Sequence, residues 1–161
     1  MPAFNVSLSA TQLAARMQDR LRGLSAASPM TVLWEHQGSR ILLYTDSLKV
    51  RVLPGWMLCN LDLQADNTGR QTLQFVFYIG SSGHGDGLRA GSSVKAATPQ
   101  ASQLAAIWGS NIQRVLWDAV LDGLEAFVGQ ARSQFAGVPI AIQGFLGAQD
   151  ALSAIVIAGD K

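Results

Sequence analysis

The chain is poor in the residues that most often carry chemistry. Its 161 residues include one cysteine and two histidines. A lone cysteine, Cys59, excludes an internal disulfide and any zinc site built from several thiolates. His36 and His84 are far apart, and no run has the Cys/His spacing of a metal centre. Glu35 and His36 are neighbours, so on a strand they point to opposite faces and cannot act together. Neither a metal nor a cofactor is expected.

Charge is scarce as well. Only 14% of the residues are charged and the net charge is +1, against roughly a quarter charged in an average soluble domain. That balance gives no electrostatic footprint for nucleic acid. Arg16, Arg20 and Arg22 are interrupted by Asp19 and read as a solvated helix face. No apolar run approaches the ~20 residues needed to cross a bilayer. The opening "MPAFNVSLSATQ" lacks the basic segment and apolar stretch of a secretory signal. A cytoplasmic protein without membrane or nucleic-acid partners is therefore expected.

What the chain does have is apolar surface. Hydrophobic residues make up 48% of it, too many for a disordered chain. The length suits a single domain over residues 1–161 with a sizeable core. Low charge on such a chain implies that part of the surface is neutral or covered by a partner.

The segment "SATQLAARMQDRLRGL" predicts a helix. Ser9 and Gln12 have the spacing of a capping box, and Leu13, Met17, Leu21 and Leu24 fall on one stripe. From Met30 the period changes to that of strands. "TVLWEHQGSRILLYT" predicts two short strands about a turn at Gln37–Ser39, and "LKVRVL" a further half-exposed one. Met57, Cys59, Leu61 and Leu63 recur at every second position, as do Leu73, Phe75, Phe77 and Ile79. This predicts a hairpin with one dry face, in a register that pairs Leu63 with Leu73 and Cys59 with Phe77. The other face is graded, with Asn60, Asp62 and Gln74 near the turn and Trp56, Leu58, Val76 and Tyr78 at the far end. Cys59, on the dry face, reads as a small core residue, not a nucleophile.

Thr98 and Pro99 make an N-cap and first-turn pair, and a helix of about 30 residues follows, to near Arg132. At ~100° per residue, Arg114, Asp118, Asp122, Glu125 and Arg132 gather in one narrow polar arc. Leu104, Trp108, Ile112, Val115, Leu116, Ala119, Val120, Leu124, Phe127 and Val128 fill most of the remainder, so the helix should be covered on two sides. Trp117 lies about half a turn around from Trp108, which predicts that the two do not bury against one surface. "VPIAIQGF" and "ALSAIVIAG" have the length of closing strands. The expected fold is α+β: a mostly antiparallel sheet of about five to seven strands packed against an N-terminal helix and one long helix in the C-terminal half.

Between these elements lies "GSSGHGDGLRAGSS", Gly80 to Ser93, within a Gly/Ser-rich stretch over 80–97 that reads as a flexible loop. "GDGLRA" fits the relaxed dinucleotide fingerprint, but the helix signal waits until Thr98, whereas that fingerprint needs a helix starting at its glycines. No lysine precedes the serines as a phosphate-binding P-loop requires. His84, Asp86 and Arg89 are the ligand-binding candidates here, with Arg89 facing a small anionic ligand. Trp56, Tyr78, Trp117 and Leu121 are the interface candidates, since tryptophan and tyrosine are enriched where proteins meet. With no catalytic constellation, the expected function is a non-catalytic binding or assembly module acting through protein–protein contacts, with another protein or with itself as a homo-oligomer. The alternative is an anion-binding protein or enzyme that uses the loop 80–93.

Overall fold

The computed structural model describes residues 3–24, 31–36, 38–65, 68–79, 89–134, 140–148 and 150–158. In chain order the elements are β1 (Ala3–Ser9), α1 (Ala10–Arg22), β2 (Thr31–His36), β3 (Ser39–Leu53), β4 (Trp56–Ala65) and β5 (Gln71–Ile79). They continue with β6 (Arg89–Ala96), α2 (Pro99–Gln134), β7 (Ile140–Ala148) and β8 (Ala151–Ala158). The strands form an antiparallel five-stranded sheet in the order β2-β3-β4-β5-β6 and an antiparallel three-stranded sheet in the order β1-β8-β7. The α+β class, the N-terminal helix and the long later helix are those expected.

Helix α1 begins where its capping box predicts. The Ser9 hydroxyl accepts from the Gln12 backbone N–H at 3.1 Å, and the Gln12 side chain accepts from the Ser9 N–H at 2.9 Å. These bonds satisfy donors that the first turn would otherwise leave unpaired. Leu13, Met17 and Leu21 are fully buried along one stripe. Helix α2 is capped by the Thr98 hydroxyl, which accepts from the Ala101 N–H at 3.0 Å. Leu104, Trp108, Ile112, Leu116, Trp117, Ala119 and Val120 are buried on it, and Val115 is half-buried. Leu124, Phe127 and the other side chains beyond Gly123 lie outside those described.

The two-sided burial of α2 comes from the sheet on one side and α1 on the other. A Cβ added at Gly123 would sit 2.7 Å from Cδ of Arg16, so the helices approach closely at that point. Arg20 reaches from α1 to Asp122 at 2.6 Å and Asp118 at 3.9 Å. These groups are about half exposed, so water screens the pairs and they contribute at most about 1 kcal/mol. Apolar contact carries the helix pair.

Both helices cover the same face of the five-stranded sheet. Cys59 Sγ lies 3.7 Å from Met17 Sδ, Trp108 tilts against Trp34, and Trp117 stacks on Phe77 with centroids 5.5 Å apart. The expectation that Trp108 and Trp117 would not share a surface is therefore corrected. The sheet is wide enough for α2 to set Trp108 toward β2 and Trp117 down onto β5, and the two rings are only 3% and 6% exposed.

Three further expectations change. The β4–β5 register pairs Leu61 with Leu73, Cys59 with Phe75 and Met57 with Phe77, two residues from the one predicted. A slide of two keeps every side chain on its face, so the apolar alternation is indifferent to it. Polar contacts near the turn favour the observed register: Asp62 accepts from Thr72 at 2.6 Å and from Arg70 at 2.9 Å. Next, "RILLYT" and "LKVRVL" belong to one long strand, β3, with a bulge between Tyr44 and Lys49. The Ser47 hydroxyl fills the gap, donating to the Tyr44 carbonyl and accepting from the Asp62 N–H at 2.9 Å. Finally, residues 89–96, assigned to the Gly/Ser-rich loop, form β6 by pairing with β5. Backbone pairing at a sheet edge makes little demand on side chains, so small residues suffice. Residues 80–88 lie outside those described.

The two closing strands of the second sheet are those expected; β1, where Phe4, Val6 and Leu8 alternate with Asn5, Ser7 and Ser9, is an addition. Asp150 ties this sheet to the rest. This residue has φ 56°, in the left-handed region, at the turn between β7 and β8. Its N–H donates to the Val52 carbonyl at 3.0 Å, and its carbonyl accepts from the Ala10 N–H at 2.7 Å. Its carboxylate accepts from the Val52 N–H at 3.2 Å. One residue thus links β8, the far end of β3 and the first turn of α1.

Candidate functional site

The face of the five-stranded sheet that turns away from the helices is where exposed side chains concentrate. Strand pleating places Lys49 and Arg51 of β3, Trp56, Leu58, Asn60 and Asp62 of β4, and Thr72, Gln74, Val76 and Tyr78 of β5 on it. The grading read from the hairpin holds across this face.

At the end near the β4–β5 connection the side chains pair with one another. Tyr44 donates its hydroxyl to Gln64 at 2.8 Å, and the Arg70 guanidinium lies 4.0 Å above the Tyr44 ring. Arg70 and Thr72 both donate to Asp62. This network engages the Tyr44, Gln64, Asp62, Arg70 and Thr72 side chains with one another.

The other end is apolar. Trp56 and Tyr78 are directly opposed across β4 and β5, with ring centroids 6.0 Å apart, and are 43% and 39% exposed. Leu58 is half-buried beside them and Val76 is buried. The Pro54–Gly55 turn, with Gly55 at φ 82°, brings β4 back sharply enough to set Trp56 at this rim. Lys49 and Arg51 are exposed along the neighbouring strand.

A second feature runs along the opposite margin of the sheet. Strand β6 pairs with β5 on one side, and no described residue pairs with its other side. Above that edge lies a groove of about 360 Å³ between β6 and α2, lined by Ser92 and by Ser110, Gln113, Arg114, Trp117, Asp118 and Leu121 of the helix. The Gln113 Nε2 is buried there without a hydrogen-bond partner. On the other face of β6, the Ser93 hydroxyl is likewise buried and unpartnered. Unmade hydrogen bonds of this kind cost about 1–3 kcal/mol each, so both atoms call for an explanation.

The interface candidates thus fall into two places. Trp56 and Tyr78 stand together on the open face. Trp117 and Leu121 line the β6–α2 groove, where Trp117 is largely packed on Phe77 and Leu121 is half-buried. Of the ligand-binding candidates, His84 and Asp86 lie outside the described residues. Arg89 opens β6, and its side chain lies outside those described. Sequence reasoning missed Ser110 and Gln113. Their signal was a small polar notch in the otherwise apolar surround of α2.

The groups a catalyst would use are not gathered in what is described. No three His, Cys, Asp or Glu side chains come together among the described residues. Burial pushes the Cys59 thiol well above its ordinary range, so it remains protonated against Met17. No described helix is long and apolar enough to cross a membrane. No protein-family model, curated protein or solved structure matches the chain.

Proposed function

We propose that this chain is a non-catalytic binding or assembly module that works through protein–protein contacts and associates with copies of itself. The observation that carries this reading is the Trp56–Tyr78 pair, set side by side on the open face of the sheet with about two fifths of each residue exposed. Aromatic rings held rigid by a strand are the groups most often found at the centre of protein interfaces, because they offer large contact area at small entropic cost. Leu58 widens the apolar patch, and the charged residues Lys49 and Arg51 rim it. Two such faces can pack against one another as sheets do, about 10 Å apart.

The test is solution mass by light scattering over a wide concentration range, on the wild type and on Trp56→Ser and Tyr78→Ser. Both substitutions lie on an exposed face and should leave the fold intact. The expected result is an oligomer whose dissociation constant rises about thirty-fold in each variant, the size of a central interface contact. A monomer at every concentration, or an oligomer indifferent to both substitutions, overturns the reading.

A further inference from the structure

We infer that two copies of the chain join edge to edge through β6, forming a continuous ten-stranded sheet with the two α2 helices packed across the two-fold axis. This inference goes beyond the open-face contact proposed above: it assigns self-association a second surface, away from Trp56 and Tyr78.

The first support is the edge itself. Among the described residues nothing pairs with the outer side of β6, and its centre, "GSSV", has no proline and no charge to repel another strand. A two-fold axis makes the new pair antiparallel. Directly opposed residues must then share a face, so the axis passes through a residue and its own copy. Centring on Ser92 would set Lys95 against the partner's Arg89 twice, and like charges directly opposed are destabilising. Centring on Ser93 retains almost the full length of the strand and sets Lys95 against the partner's Gly91. It also brings the two Ser93 hydroxyls, each unpartnered in the single chain, next to one another.

The second support is the position of α2. Gly109 lies over Val94 of β6, where an added Cβ would be 3.3 Å from the valine side chain, and Trp117 stacks on Phe77 of β5. The helix axis therefore runs over the gap between β5 and β6, about half a strand spacing inside the edge. With strands about 4.8 Å apart, the two-fold sets the helix axes about 10 Å apart. That is the distance at which helices pack, about 8–10 Å. Neither a gap nor a collision results.

The third support is the helix face that would meet its copy. At ~100° per residue, Ala106, Ser110, Gln113, Trp117 and Leu121 form the stripe of α2 that faces outward over the β6 edge. Small residues occupy one end of the stripe and large ones the other. Helix α2 runs antiparallel to β6, since Gly109 lies over Val94 and Trp117 lines the groove with Ser92. With about 3.3 Å per strand residue and 1.5 Å per helix residue, Gly109 over Val94 puts an axis through Ser93 across the stripe between Ser110 and Gln113. Each Gln113 then meets the partner's Ser110 across the axis, while Trp117 stays packed on Phe77. The Nε2 that is buried without a partner in one chain can donate to the hydroxyl of the partner's Ser110.

Two variants test this on the full chain. Ser93→Cys places one thiol from each copy on the axis, with Cα atoms about 4.5–5.5 Å apart, inside the range of about 4.4–6.8 Å that a disulfide spans. Mild oxidation should give a covalent dimer on a non-reducing gel, while the wild type and Thr72→Cys, exposed on β5, should not. Gln113→Lys places a cation on each side of the axis and should raise the dimer dissociation constant tenfold or more while the chain stays folded. The inference is overturned if Ser93→Cys gives no covalent dimer, or if a folded Gln113→Lys keeps the wild-type mass. Association that responds to Trp56→Ser and Tyr78→Ser but to neither of these variants rejects the β6 contact and leaves the open-face reading standing. A wild type that is monomeric throughout rejects both.

Discussion

Replacing Asp150 with alanine should weaken the fold measurably, although the residue is exposed. Three hydrogen bonds converge on it, two through its backbone and one through its carboxylate. Asp150→Ala removes the carboxylate acceptor of the Val52 N–H, a loss of about 1 kcal/mol. It also holds alanine at φ 56°, where an L-residue without a helpful side chain pays about 1 kcal/mol or more. The sum is about 2 kcal/mol, or roughly 4–8 °C in melting temperature for a chain of this size. Asp150→Asn keeps an acceptor oxygen and tolerates the left-handed backbone, so it should stay within about 0.5 kcal/mol of wild type. Asp150→Gly relieves the backbone but loses the acceptor, and should fall between them. Urea denaturation followed by circular dichroism measures all three, with the slope m confirming that the same transition is compared. If asparagine costs as much as alanine, or alanine costs nothing, the link between the two sheets does not depend on Asp150 as described.

Cys59 should not react with a thiol reagent in the native protein, and should react fully once urea unfolds it. Its raised thiol pKa also sets a sign for pH dependence, because above the ordinary thiol range the unfolded chain loses a proton that the folded chain keeps. Stability should therefore be complete below about pH 8.5 and fall above it by up to about 1.4 kcal/mol per pH unit. Cys59→Ala should remove that part of the slope; an unchanged slope refutes the assignment. Leu116 is fully buried beneath α2, so Leu116→Asp should unfold the protein or leave it aggregated, since an unpaired buried charge costs several kcal/mol. A wild-type melting curve for that variant would contradict the burial of the helix.

Much of this architecture was legible in the chain. The capping box at Ser9 and Gln12, the stripe of α1, the N-cap at Thr98 and the dry face of the β4–β5 hairpin all depend on neighbours within a turn or a pleat. Spacing and residue type alone determine such features. The same holds for the graded outer face that exposes Trp56 and Tyr78, because strand alternation assigns every residue to one side. What the chain could not specify involves choices between arrangements that are locally equivalent. Sliding the hairpin by two residues leaves the alternation intact, and contacts near the turn, such as those of Asp62 with Arg70 and Thr72, distinguish the two registers. Strand β6 gains its hydrogen bonds from β5, so a Gly/Ser-rich segment that looks like slack becomes ordered where a partner strand is offered. Trp108 and Trp117 reach the same sheet from opposite sides of a helix because that sheet is wider than the helix above it. The unpartnered Gln113 and Ser93 lie on either side of one edge, a juxtaposition that exists only once β6 and α2 are packed together.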